Sequence, residues 1–345
     1  YIVFYISQTF YKNILSSIYI HIPYCKQACL YCNFHFTITQ NDKVDMLNCI
    51  RLELELRQDY LKDNKVDTIY FGGGTPSVLE KNEIISILQK IYDTYNIVEN
   101  PEITLECNPD DLSKDNLIAL KEIGINRLSI GVQSFNDKEL KWMNRSHNAD
   151  QSERCIKMAQ QVGFDNITID LIYGLPNQTL ADWKQNLKKM FAYDIQHFSA
   201  YALTIENKTI LKHLVNTNKI KLLSEETVLK QFNTLIDMAT ENRFVHYEVS
   251  NFALPGFRST HNFCYWESKS VAALGPSATG YLNGDEESQR YKWKINGPEF
   301  TREVIDKKHM QLEKLYLALR TDRGVNLEDF LSPEACKKDL LLLVD

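Results

Sequence analysis

Ser17-Ile18-Tyr19-Ile20-His21-Ile22-Pro23-Tyr24-Cys25-Lys26-Gln27-Ala28-Cys29-Leu30-Tyr31-Cys32 starts as an alternating β-branched run and ends with three cysteines in eight residues. Five more runs have the same design. Asp67–Phe71 leads into Gly72-Gly73-Gly74-Thr75-Pro76-Ser77, and Glu102–Cys107 into Asn108-Pro109. Arg127–Val132 leads into Gln133-Ser134, Asn166–Ile172 into Tyr173-Gly174-Leu175-Pro176, and His197–Leu203 contains Tyr201 and Ala202. Between the runs lie stretches of helical periodicity: Lys43–Tyr60, Glu80–Tyr95, Ser113–Ile123, Asp150–Val162 and Thr179–Phe191, with Ser224–Arg243 after the last run. Ser113 and Asp150 stand where helix caps are expected.

Six strand–helix repeats predict a parallel sheet covered by helices. The sheet is either an open doubly wound one or a complete or partial barrel. In an open sheet the unusual residues would gather at one switch point. Here polar or glycine signatures follow every strand, which predicts one shared mouth at the C-terminal ends of barrel strands. The expectation is an α/β chain with a partial (β/α)6 barrel over residues 17–205. An extension covers 1–16, and a smaller C-terminal region, 206–345, covers the mouth.

Composition narrows the function. The chain has 345 residues, 39 Lys+Arg against 45 Asp+Glu, a net charge of −6, and 44% hydrophobic residues. This is a soluble-globule composition with no basic field for nucleic acid or anionic membrane. Tyr1–Phe10 is apolar but interrupted and far short of the roughly 20 residues of a spanning helix; it reads as an extra edge strand or an overhang. Leu340–Val344 is an apolar run with nothing after it to cover it, which points to a truncated C-terminal domain. Eight cysteines, three of them clustered, predict reduced thiols in a cytoplasmic protein with one metal-binding loop. Cys49, Cys107, Cys155 and Cys336 read as small buried apolar residues.

The cluster spacing is C-x3-C-x2-C. Three thiolates leave two chemistries open: a zinc site recruiting His21 or His35, or a [4Fe–4S] cluster with one iron free for an exogenous ligand. The barrel mouth favours the second.

With Tyr31 before the third cysteine, the loop resembles that of the radical S-adenosylmethionine (SAM) superfamily. Further motifs resemble one branch of it: Tyr19–Pro23, Phe71–Ser77, Glu106–Pro109, Gly131–Phe135, Asp170–Pro176 and His261-Asn262-Phe263-Cys264-Tyr265-Trp266. They are similar to those of the HemW heme chaperones, relatives of oxygen-independent coproporphyrinogen III oxidase (HemN), from about Ser17 to Phe330. The resemblance implies that Cys25, Cys29 and Cys32 hold the cluster. It implies SAM contacts at Tyr19, Tyr31, Gly73, Gly74, Thr75, Glu106, Gln133, Arg145, Asp170 and Ala202. It also implies heme as a ligand, with His261 as an iron ligand, Tyr265 and Trp266 beside the porphyrin, and an apo-hemoprotein as acceptor.

The oxidase is the alternative. Its pattern continues to a fourth cysteine where Phe34 stands here, and it carries a longer segment before the cluster. Relatives also carry a His where Thr279 stands in Gly275-Pro276-Ser277-Ala278-Thr279-Gly280.

Overall fold

The computed structural model describes residues 15–61, 65–293 and 300–325. The readings at Tyr1–Phe10, Cys336 and Leu340–Val344 lie outside the described residues.

The repeats fold in the expected sequence. β1 (Leu15–Ile22), β2 (Lys65–Gly73), β3 (Ile97–Cys107), β4 (Arg127–Gln133), β5 (Ile167–Tyr173) and β6 (His197–Ala202) pair in parallel, each with the next. This strictly sequential order has no switch point, which removes the doubly wound alternative. α1 (Lys43–Leu56), α2 (Lys81–Thr94), α3 (Lys114–Glu122), α4 (Asp137–Trp142), α5 (Ala149–Val162) and α6 (Leu180–Phe191) make the connections. α4 is a short helix that the periodicity did not reveal. Ser113 caps α3, accepting from the Asn116 amide. The cap of α5 is Asn148, not Asp150: Asn148 forms a reciprocal capping box with Gln151, and Asp150 sits in the first turn.

Alternation along the strands separates packing from chemistry. Ile18, Ile20 and Ile22 of β1, Ile69 and Phe71 of β2, Ile103 and Leu105 of β3, and Leu128 and Ile130 of β4 are fully or almost fully buried. They belong to one apolar core with Ile50, Leu54, Ile84, Ile87, Ile156 and Trp183 of the helices. Each such side chain contributes roughly 1.5–3 kcal/mol. The intervening positions are polar and meet one another: Tyr70 with Glu106, Ser129 with Asp170, Arg127 with Thr168, and Thr168 with His197. The shell is apolar and the lumen polar.

After α7 (Ile210–Asn216) and α8 (Glu225–Glu241) come β7 (Val245–His246), β8 (Asn251–Ala253), α9 (Thr260–Trp266), β9 (Val271–Leu274), β10 (Thr279–Leu282), β11 (Glu287–Trp293), β12 (Phe300–Asp306) and α10 (Lys307–Ala318). These strands extend both edges of one twelve-stranded sheet, β12-β11-β10-β9-β1-β2-β3-β4-β5-β6-β8-β7. The sheet stays open, a partial barrel. β9 runs parallel to β1, with Ser17 opposite Val271, while β8 is antiparallel to β6. Arg57 ties β11 and β12 to the end of α1: its buried guanidinium lies 3.9 Å from the Trp293 ring centre and 4.7 Å from that of Tyr291. Among the described residues no helix is long and apolar enough to cross a membrane.

Candidate functional site

The C-terminal ends of the strands surround a cavity of about 650 Å³. Cys25, Cys29, Tyr31, Cys32, Gly73, Gly74, Thr75, Glu106, Gln133, Arg145, Asp170 and Ala202 line it. All but Arg145 come from the loop after β1 and from the ends of β2 to β6, and Arg145 comes from the turn between α4 and α5, so the topology brings the motifs together.

The cysteine loop is anchored on several sides. Cys25 N–H donates to Thr37 O at 2.9 Å, Leu30 N–H to Met143 O at 3.2 Å, and Leu211 N–H to Leu30 O at 2.9 Å. Asn144, at φ +59°, accepts from the Gln27 amide at 2.6 Å and donates to Ala28 O at 2.7 Å. Lys26 is paired with Asp110 and Asp111. The thiols themselves are free. Thr75 Oγ1 donates to Cys25 Sγ at 3.3 Å, and Arg145 Nη1 to Cys29 Sγ at 3.3 Å. Burial pushes the Cys32 thiol up to about 11 and raises that of Cys25. Among the described residues no three His, Cys, Asp or Glu side chains form a set fit to hold a single metal ion. His21, one candidate fourth zinc ligand, is engaged elsewhere: Nδ1 lies 3.2 Å from Tyr19 OH and Nε2 2.9 Å from His35 O.

The glycine turn crosses the end of β1. Gly74 N–H donates to Ile22 O and Thr75 N–H to Tyr24 O, both at 2.8 Å. A Cβ on Gly74 would lie 2.7 Å from the Pro23 backbone, and one on Gly73 2.5 Å from the His21 ring. Gly73 also has φ +108°, which side-chain-bearing residues rarely adopt. Its amide donates to Glu106 Oε2 at 3.0 Å, while Tyr70 OH donates to Oε1 at 2.8 Å. Desolvation, with Asp170 adding to it, moves the Glu106 carboxyl up to about 7 against the pull of both hydrogen bonds. Desolvation also raises Asp170.

Arg145 reaches back over β4. Nη2 donates to Gly131 O at 2.9 Å and to Asn108 Oδ1 at 2.5 Å, and Nε has no partner. Desolvation pulls its basicity down, but Tyr31 and Cys29 beside it more than offset this, and the guanidinium stays charged. At Gln133 the β4–β5 register shifts and φ reaches +64°, a bulge that re-aims the side chain toward the mouth.

Two expected residues lie elsewhere. Tyr19 is beneath the cavity, with its ring against Tyr70 and its hydroxyl at His21. His261 is not at the mouth. α9 packs against β1 and β2, and the His261 ring, 2% exposed, has Nδ1 2.8 Å from Thr68 Oγ1. Desolvation and the Arg127 charge lower the imidazole to about 3, so it is neutral. Tyr265 stands edge-on to it at 5.6 Å, and Cys264 is fully buried. Thr279 begins β10 and does not line the cavity. Cys49, expected to be buried, is exposed, while Cys107 and Cys155 are buried. Phe34 lines the cavity and is 66% exposed.

Sequence reasoning missed Tyr70, Asn108, Phe232 and Val249. The last three line the same cavity. Tyr70 was detectable as the middle member of the lumen-facing series Thr68, Tyr70, Gly72.

The chain matches the Radical SAM superfamily over residues 19–190. It is 34% identical to heme chaperone HemW of Lactococcus lactis over 94% of this chain and 87% of that protein. It is also 34% identical to heme chaperone HemW of Bacillus subtilis, over 92% and 86%. A mitochondrial radical S-adenosyl methionine domain-containing protein 1 from Danio rerio is 31% identical over 93% and 76%. Among solved structures, Escherichia coli coproporphyrinogen III oxidase (HemN), described as a radical SAM enzyme, superposes with a TM-score of 0.81. That match covers 96% of this chain and 83% of the oxidase at 23% identity, a likeness of fold.

Proposed function

This chain belongs to the radical SAM superfamily and, within it, to the HemW family, and from that premise we propose that it binds heme and delivers it to an apo-hemoprotein, with a [4Fe–4S] cluster and SAM at the barrel mouth. The observation that carries the reading is the convergence of three free thiols, the Gly73–Thr75 turn and Arg145 on one cavity.

Cys25, Cys29 and Cys32 would hold the cluster, leaving one iron for the amine and carboxylate of SAM. The donor set fits. The unpartnered Arg145 Nε offers a donor for a carboxylate. Gly73 and Gly74 leave backbone bare where a ligand approaches closely. Glu106 and Asp170 suit ribose hydroxyls or a cationic group, Thr75 adds a hydroxyl, and Tyr31, Gln133 and Ala202 complete the walls. When bound, the pair supplies reductive chemistry on the sulfonium. The chain's own residues orient the ligand and exclude water from it.

Phe34 favours the chaperone over the oxidase, because an exposed aromatic stands where the oxidase pattern has a cysteine. Heme ligation by His261 requires α9 to leave the lumen, since a porphyrin cannot reach a 2%-exposed ring.

Anaerobically reconstituted protein should hold about four iron and four sulfide per chain. Heme titration should shift the Soret band. Incubation with coproporphyrinogen III, reductant and SAM should leave the porphyrinogen unchanged; accumulation of protoporphyrinogen would replace the chaperone reading with the oxidase.

A further inference from the structure

We infer that His261 is a positioning residue for the SAM pocket, acting through Tyr70 on Glu106. The inference rests on the reading that SAM occupies the cavity, and it gives His261 a role apart from heme ligation.

Glu102 of β3 fixes α9 in the lumen, accepting from the Thr260 amide at 3.1 Å and the His261 amide at 3.0 Å. Thr68 fixes the imidazole at Nδ1. The ring then lies against Tyr70, with centroids 4.7 Å apart and planes 23° from parallel. Tyr19 completes the group, its centroid 6.1 Å from Tyr70 and 6.3 Å from His261. From Tyr70 the path is one hydrogen bond long: its hydroxyl holds Glu106 Oε1 while the Gly73 amide holds Oε2.

The packing is tight. A Cβ on Gly72 would lie 2.8 Å from Tyr70 Cε1, 2.9 Å from Glu106 Oε1 and 3.0 Å from Tyr19 Cε2. Tyr70, Glu106 and Tyr19 close over the bare Gly72 backbone, and the Tyr70 hydrogen bond couples any shift of its ring to Glu106. The imidazole is the surface on which Tyr70 rests, and without it the hydroxyl loses its aim. Its neutral state matters too. A charged ring beside Tyr70 would compete with the cationic sulfonium and ammonium of SAM for the Glu106 carboxylate.

The test is SAM binding to cluster-reconstituted, heme-free protein, read by anaerobic equilibrium dialysis. His261→Ala should raise the Kd roughly tenfold, in the range seen when groups behind a ligand-binding residue are removed. His261→Phe keeps a ring against Tyr70 and should recover most of that loss. Tyr70→Phe should match His261→Ala, and the double variant should be no worse than the weaker single one, because both act along one path. Should the alanine variant fail to fold, His261→Phe and Thr68→Val, which frees the ring from its anchor, carry the comparison. An unchanged Kd in folded His261→Ala, Thr68→Val or Tyr70→Phe, or additive losses in the double variant, overturns the inference while leaving the cofactor reading intact. Wild-type protein that binds no SAM overturns both.

Discussion

Glu106→Gln separates what this carboxylate does for the ligand from what it does to the fold. Glu106 titrates near 7 instead of the ordinary 4.5. At about 1.36 kcal/mol per pH unit, its ionisation costs the native state about 3 kcal/mol, and the partial exposure of Glu106 at the open cavity reduces this to about 2 kcal/mol. The sign follows from proton uptake. Between pH 4.5 and 7 the native chain binds more protons here than the unfolded chain, so this site stabilises at low pH. That stabilisation is lost as pH rises through 7. Glutamine removes the ionisation and keeps the shape. Its carbonyl can accept from the Gly73 amide, and its NH2 can donate to the Tyr70 oxygen. Thermal unfolding of SAM-free, cluster-reconstituted protein should show the variant and wild type alike near pH 4.5. Near pH 8 the variant should be more stable by about 2 kcal/mol, a gain of several °C. SAM affinity at pH 8 should fall roughly 10–100-fold, the loss expected for a charged acceptor. Parallel melting profiles from pH 4.5 to 8 would refute the reasoning, since they would mean that Glu106 ionises in the fold as freely as in the open chain.

Gly73→Ala should destabilise the protein by about 1–3 kcal/mol through backbone strain alone and abolish measurable SAM binding; differential scanning fluorimetry with and without SAM checks both. Arg145→Lys retains a charge but not the fork that reaches Cys29, Asn108 and Gly131 at once; iron content should hold near four per chain while SAM affinity drops at least tenfold, measured by iron assay and equilibrium dialysis.

The barrel was legible because each strand pairs apolar alternation with a chemical marker at its end. Arg127–Val132 is one example: its even-numbered positions face the helices, and it ends at the bulge that turns Gln133. Gly73, Glu106, Gln133 and Asp170 stand at or near those strand ends, whereas Arg145, beyond α4, was pointed to only by the family resemblance. The edges of the sheet were not legible. β7, β8 and β9 are two to four residues long, too short for alternation to show. The position of His261 was hidden for a different reason. Its partner Thr68 is 193 residues away, and a seven-residue helix has too few turns to reveal which face is buried. The α5 cap depended on spacing: Asn148 precedes Gln151 by the three residues a capping box needs, and Asp150 does not. Cys49 sits between buried Leu47 and Ile50 on the sequence but on the outer side of α1.

The inverted polarity of the barrel has a consequence for how such a scaffold changes over time. Cohesion comes from the isoleucines and leucines that face the helices, while Glu106, Asp170, Arg127 and His197 contribute little apolar burial. Lumen positions can therefore be exchanged at modest cost to folding, so long as each newly buried polar group finds a partner. Selection can then retune the interior for a different ligand, leaving the architecture that surrounds it untouched.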